Sequence, residues 1–348
     1  MTRYRIALAA VAIVIAAAVI ISVVRQAGPA ISNGASASSA LLPEGSRPAA
    51  PEFTGVDGWI NSPPLTIAGL QGHVVLIDFW TFSCVNCVRT IPHLRHLYDT
   101  YRGKGLVIVG VHSPEFDFER MADNVRAAVT RLGVSWPVAI DSEMATWNAW
   151  SNSYWPAEYL IDRQGRVAYV HFGEGNYEVT DSAVGALLSL HSGPTPTMSA
   201  ASTTITPELY AGSTRGKLAD GEAYGPRGQA VDYGTKPPPQ ASDAIQVTGR
   251  WADYGEYLQA AGPAQVRLSF QAQDVFVVTG SASGALTVTV SVDGSGVTSQ
   301  LSGSALTASQ FAVTRQDLYQ LVTHESSGYH LIELSVPAGF RLYTFTFG

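Results

Sequence analysis

Residues Val74–Trp80 (VVLIDFW) carry one charge in seven positions, and four residues later come the chain's only two cysteines, Cys84 and Cys87. A strand with a single polar side chain has no solvent face to offer, so it belongs at the centre of a sheet covered on both sides. The two-residue spacer puts both thiols in the first turn of the helix that follows. There the unpaired N–H groups and the macrodipole favour a thiolate on the first sulfur. Such a pair can close a disulfide or supply half of a four-ligand zinc site. Zinc needs two further donors, and the nearest histidines, His93 and His96, lie further along the same helix and point away from both thiols. A purely structural disulfide is also a weak reading, because so short a closed loop removes little entropy from the unfolded chain. Dithiol redox chemistry uses the spacing best. It needs no metal, and no cofactor beyond the Cys84–Cys87 disulfide itself.

The N-terminus points to export. Residues 6–24 are apolar except for Ser22 and are flanked by Arg3, Arg5 and Arg25. At a helical rise that run reaches about 30 Å, the hydrocarbon thickness of a bilayer. Cleavable signals have a shorter apolar region, about 7–15 residues, so residues 1–26 are expected to be a signal anchor, with Ala35-Ser36-Ala37 as the alternative late cleavage site. The basic end then stays in the cytoplasm and the rest of the chain lies outside. A net charge of -7 argues against a nucleic-acid partner, which needs clustered lysine and arginine. Only 14% of residues are charged, which suits an exported protein.

The remaining chain divides by composition and period. Residues 27–51, rich in Ala, Ser, Gly and Pro, are expected to be a flexible tether with a reach of about 25–30 Å. Residues 52–192 alternate apolar strands with helical segments, which predicts an α/β sheet. Helices are expected over residues 84–102, 117–132, 144–150 and 180–191, with a second buried strand at 106–111 and a closing hairpin around Asp162-Arg163-Gln164-Gly165. Residues 193–206 read as a linker. Across residues 207–348 the period becomes two: Val266, Leu268 and Phe270; Leu286, Val288, Val290 and Val292; Ile332, Leu334 and Val336; Tyr343, Phe345 and Phe347. This predicts an all-β sandwich, with residues 216–239 as a long surface loop.

The stretch Asp78-Phe79-Trp80-x-x-x-Cys84-x-x-Cys87, with Pro92 five residues on, resembles the active-site stretch of the thioredoxin family. Trp80-Thr81-Phe82-Ser83-Cys84-Val85-Asn86-Cys87 is similar to the membrane-anchored TlpA/ResA-like branch, most closely to the thioredoxin part of DipZ-type proteins. Tyr154-Trp155-Pro156-Ala157-Glu158-Tyr159-Leu160-Ile161-Asp162 resembles the family's cis-proline segment. The resemblance implies a thioredoxin fold over residues 53–191. It implies that Cys84 is the nucleophile, that Cys87 resolves the mixed disulfide, and that buried Asp78 accepts the Cys87 proton. Pro156 would be cis and leave the backbone of Trp155 free to pair with an extended substrate, with Gly173 forming the other edge of the groove. Trp80 would be a wall residue with a mainly structural part. His112, Glu115 and His171 are expected to be solvated.

The resemblance further implies a location in the periplasm or cell-envelope space of a bacterium, and a part in reducing exported protein disulfides, as in cytochrome c maturation. DipZ-type proteins carry a multi-helix electron-transfer domain. With one apolar run here, electrons would come from a separate membrane donor of the CcdA/DsbD kind. The Val85-Asn86 spacer leaves a dithiol-oxidase direction open. The sandwich resembles the galactose-binding, jelly-roll-like module at the end of DipZ proteins. There Trp251, Tyr254 and Tyr257 would stack on a sugar, making a glycan a second partner, or the module would shape partner access to Cys84. A glycan-binding protein with an accessory redox domain is therefore the alternative of a different class. A thiol peroxidase is disfavoured, because the chain has no further cysteine.

Overall fold

The computed structural model describes residues 40–190, 205–239, 243–323 and 328–348. The expected signal anchor lies outside these residues, as do most of the tether and nearly all of the linker. Among the described residues no helix is long and apolar enough to cross a membrane. The chain divides between residues 198 and 199 into two compact units.

In the first unit the described strands are β1 (Gly58–Ile60), β2 (Val74–Trp80), β3 (Leu106–His112), β4 (Val138–Ile140), β5 (Ala157–Ile161) and β6 (Val167–Phe172), in the order β1-β4-β3-β2-β5-β6. β2 runs parallel to β3, and β3 parallel to β4; β5 is antiparallel to β2, and β6 to β5. The α-helices are α1 (Val85–Tyr101), α2 (Ala122–Arg131), α3 (Ala145–Ala149) and α4 (Tyr177–Leu187). Every residue of β2 and β5 is buried, so both strands sit inside the sheet with both faces covered. Val75, Ile77, Phe79, Val109, Val111 and Tyr159 pack on one face against Trp147 of α3 and Trp150. α1 and α4 pack on the other, joined by the bond from Tyr101 Oη to Asp181 Oδ1 at 2.8 Å and by the His93 and Tyr177 rings, 4.5 Å apart.

Three expectations change here. Residues 40–51 are not free tether: Leu42 N donates to Ala168 O, Val167 N to Pro48 O and Ala50 N to Gly165 O, and Arg47 pairs with Asp162 at 3.0 Å. Composition hides this, because the anchorage is made mostly by backbone atoms. The helix expected over 117–132 is broken into a 3₁₀ turn (Asp117–Arg120) and α2, with extended Met121 between them. Glu119 is the cause, since its buried carboxylate accepts the N–H groups of Glu115 and Phe116 and ties that turn to the preceding loop. The last helix starts at Tyr177 rather than 180 and ends at Leu187.

In the second unit, two antiparallel sheets close on one core. One is built around Val275–Ser281 and Phe340–Phe347, the other around Ala264–Phe270, Leu286–Val292 and His330–Val336. Val266, Leu268, Val290 and Leu334 from one sheet meet Val277, Phe340, Leu342 and Phe345 from the other. The expected stripe Tyr343, Phe345, Phe347 is corrected by a bulge: Thr344 pairs with Val278 but Leu342 with Thr279, so Tyr343 is the extra residue and the inward parity switches there. Residues 216–239 are not wholly loop, since Ala230–Asp232 pairs with Arg250–Asp253.

Candidate functional site

Cys84 is the N-cap of α1. Its Sγ accepts the Cys87 backbone N–H at 3.2 Å, so the first thiol fills one of the helix's unpaired donors. The two sulfurs lie 2.6 Å apart as free thiols, Cys84 partly exposed and Cys87 buried. Burial pushes the Cys87 thiol well up, and its hydrogen bond and charge coupling to Cys84 and the nearby Asp78 carboxyl push the same way. The arrangement thus gives one thiol that a disulfide can reach and one that must lose a proton, in a dry site, before it can attack.

The carboxyl whose charge acts on the Cys87 thiol is Asp78, on β2 and 3% exposed, with no hydrogen-bond partner for Oδ1. Burial first, and then the charge of Glu158, raise its carboxyl well above the ordinary range. β3 places Gly110 opposite Asp78. A Cβ on Gly110 would lie 2.9 Å from Trp80 Nε1 and 3.4 Å from Trp136 Nε1, so the glycine is where two indoles pass over the sheet. Gly110→Ala is expected to cost about 1–3 kcal/mol in urea unfolding, the usual scale for an overpacked core.

The Trp155–Pro156 peptide is cis, and Gly173 N donates to Pro156 O at 2.9 Å, which puts Gly173 beside the proline. Trp155 turns its ring away onto Trp147, 4.2 Å between centroids, and its Nε1 donates to Ser113 O. The exposed aromatic of this segment is instead Tyr154, whose ring lies on Phe172. Trp80 does not line a groove, because it is 2% exposed with its ring edge-on to His112. His112 is not solvated either. It is fully buried, stacked on Phe82 and 3.3 Å from Thr81 Oγ1, and burial lowers it to about 3. His171 is half-buried, and burial lowers it too. Glu115 is only partly exposed, and its backbone N–H is held by Glu119.

Two supports escaped the sequence reading. Glu119 Oε1 accepts both the hydroxyl of Ser83, at 2.5 Å, and its backbone N–H, so a buried carboxyl fixes the residue just before Cys84; burial raises it to about 7. Arg89 binds both carboxylate oxygens of Glu174 through Nε and donates from Nη2 to Asn86 Oδ1 at 2.8 Å, linking the spacer between the cysteines to the residue after Gly173. The signal for Arg89 was its place one turn after Asn86, at the i+3 spacing that brings side chains together. Glu119 carried none, because one glutamate in a mixed segment reads as surface.

In the second unit Trp251 is withdrawn as a sugar platform. It is 1% exposed in the sandwich core, with Nε1 bonded to Thr248 O. Tyr254, 42% exposed, stacks on Tyr257, which in turn meets Tyr343 and Arg341. Among the described residues no cluster of His, Cys, Asp and Glu is arranged to hold a metal.

Residues 44–188 match the family described as Redoxin, and residues 206–348 the family described as Thioredoxin like C-terminal domain. Protein DipZ of Mycobacterium bovis is 37% identical over 315 residues, 86% of this chain and 43% of that protein. The chain therefore spans less than half the length of that relative. Thiol-disulfide oxidoreductase ResA of Halalkalibacterium halodurans is 32% identical over 116 residues, 33% of this chain and 62% of that protein. Thiol-disulfide oxidoreductase YkuV of Bacillus subtilis is 26% identical over 139 residues, 40% of this chain and 93% of that protein. Residues 44–188 are thus a redoxin-type domain, with a mixed sheet and a thiol pair capping α1, and residues 206–348 match the thioredoxin-like C-terminal domain family.

Proposed function

We propose that the chain is an extracytoplasmic thiol–disulfide oxidoreductase that reduces disulfides of exported proteins, of the kind met in cytochrome c maturation. The observation that carries this reading is the unequal thiol pair: Cys84 partly exposed at the helix cap, Cys87 buried against it, and the charge of Asp78 acting on Cys87. The Cys84 thiolate attacks a substrate disulfide, forming a mixed disulfide and releasing one substrate thiolate. Cys87 gives its proton to Asp78 and attacks Cys84 Sγ; the Cys84–Cys87 disulfide forms and the second substrate thiolate leaves and is protonated by water. Two electrons pass from the protein to the substrate. A membrane dithiol donor of the CcdA/DsbD kind would return them, and residues 1–26 would anchor the chain beside it. The cis-proline segment and Gly173 would hold an extended substrate. For the sandwich we favour a galactose-binding-like module, with Tyr254 and Tyr257 as what remains of a sugar platform.

The test is a redox titration of the Cys84/Cys87 couple against glutathione and dithiothreitol. A reversible two-electron couple nearer about -270 mV than about -120 mV is expected. A potential at the oxidising end overturns the reductase direction in favour of a dithiol oxidase. The absence of a reversible couple overturns the function. Glycan binding by the full chain that is unaffected by Cys84→Ser would favour a glycan-binding protein with an accessory redox domain.

A further inference from the structure

β2 and β5 are wholly buried strands, and each carries one acid. Their register sets Asp78 opposite Glu158, and β6 sets His171 opposite Glu158, so the three residues form a row on one face of the sheet. Directly opposed residues of an antiparallel pair have Cβ atoms about 4.5–5.5 Å apart. Glu158 is 2% exposed; its Oε2 accepts the hydroxyl of Thr180 at 2.9 Å, and that hydroxyl lies 3.3 Å from Tyr169 Oη.

Among the described residues no basic group acts on either carboxyl. β3 offers Gly110. α1 offers Cys87 and His93, β6 offers Tyr169 and His171, and α4 offers Tyr177 and an Asp181 bonded to Tyr101. Burial lowers both histidines, His93 to about 4, so neither supplies a cation at neutral pH. Two like charges in one dry site ionise in sequence. Thr180 donates to Glu158 while Asp78 Oδ1 has no donor, so Glu158 ionises first.

Resting on the dithiol reading above, we propose that Glu158 is a positioning residue of the redox site: its charge, fixed opposite Asp78 in a row without a cation, strengthens Asp78 as acceptor of the Cys87 proton. Glu158 takes no part in bond making. The proton moves from Cys87 Sγ to the Asp78 carboxylate, the sulfur's electron pair forms the bond to Cys84 Sγ, and the substrate sulfur leaves as thiolate. A lone buried aspartate would be ionised over a wider pH range but would be a weaker base.

The experiment is single-turnover oxidation of the reduced full chain by oxidised glutathione, followed by tryptophan fluorescence between about pH 5 and pH 9. The phase independent of glutathione concentration isolates the Cys87 step. Glu158→Gln is expected to move the acid limb of that phase down by about one pH unit and to lower its plateau several-fold. Glu158→Asp should bring the limb back towards the wild-type position. A plateau that falls while the limb stays put means that Glu158 only supports the fold, and overturns the proposal. If Glu158→Gln does not fold, carboxyl carbon NMR of the wild-type protein decides: Asp78 must ionise after Glu158, and the reverse order overturns the proposal. A wild-type chain that never reacts with oxidised glutathione overturns the dithiol reading itself and this inference with it.

Discussion

In the Cys87→Ser protein, disulfide substrates are expected to load onto Cys84 and stay there. The buried position of Cys87 against Cys84 Sγ leaves no other thiol to release them, because the chain has no third cysteine. A mixed disulfide approaching one equivalent should accumulate, visible as a mass increase that dithiothreitol reverses, while steady-state turnover falls to background. Cys84→Ser should accumulate none, since Cys87 is out of reach of a protein substrate. Adducts on Cys87 in that variant would reverse the roles of attacker and resolver. Asp78→Asn separates the two steps differently. It should leave loading of Cys84 intact and slow the release phase by about a hundredfold or more, the usual contribution of a positioned proton acceptor. A release phase unchanged in Asp78→Asn would place the proton acceptor elsewhere.

These expectations rest on parts of the site that local sequence makes visible. An apolar strand with one acid, followed by two thiols at helical spacing, is a short-range pattern, and short-range patterns survive folding: β2 is buried at all seven positions and Cys84 caps α1. What was hidden is what crosses the sheet. Glu158 sits in Ala157–Ile161, a strand as apolar as β2, and only the register shows that its acid faces Asp78. His112 closes β3 and, judged by its type, looks like a strand-end residue in solvent, yet Trp80, Thr81 and Phe82 pack against it and it has no exposure. Trp251 differs from expectation in the same way. Three aromatics within seven residues look like a platform, but Trp251 lies within the strand Arg250–Asp253 and is buried in the core, while Tyr254 follows the strand's end and stays outside. The period-two reading of the last strand failed at one residue for a related reason, because the bulge at Tyr343 depends on pairing with a strand more than sixty residues earlier.

The buried ionisable groups of the redoxin domain fall into two opposed sets, and the balance between them is measurable. Burial raises Glu119 and Glu158 from 4.5 to about 7, so between those values the folded state holds a proton that the unfolded state has lost. Each therefore removes stability as pH rises, by about 1.4 kcal/mol per pH unit and about 3 kcal/mol across the window. Burial lowers His112 from 6.5 to about 3 and His93 to about 4, so below 6.5 the unfolded state holds the extra proton. Each of these adds stability as pH rises, at the same slope with opposite sign. Asp78 and His171 are shifted in the same two senses. The sets oppose one another between about pH 4.5 and 6.5, leaving a shallow curve there and a fall between about pH 6.5 and 7, where only the carboxyls titrate. Single substitutions should tilt it. Glu158→Gln is expected to raise the slope by about 1.4 kcal/mol per pH unit, and His112→Asn to lower it by the same amount, in urea unfolding read by hydrogen exchange at β2. A packing defect in either variant shifts the whole curve by a constant, so only loss of the titration changes the slope. Parallel curves for wild type and Glu158→Gln would mean that Glu158 is ionised in the folded protein throughout the window and that burial does not hold its proton.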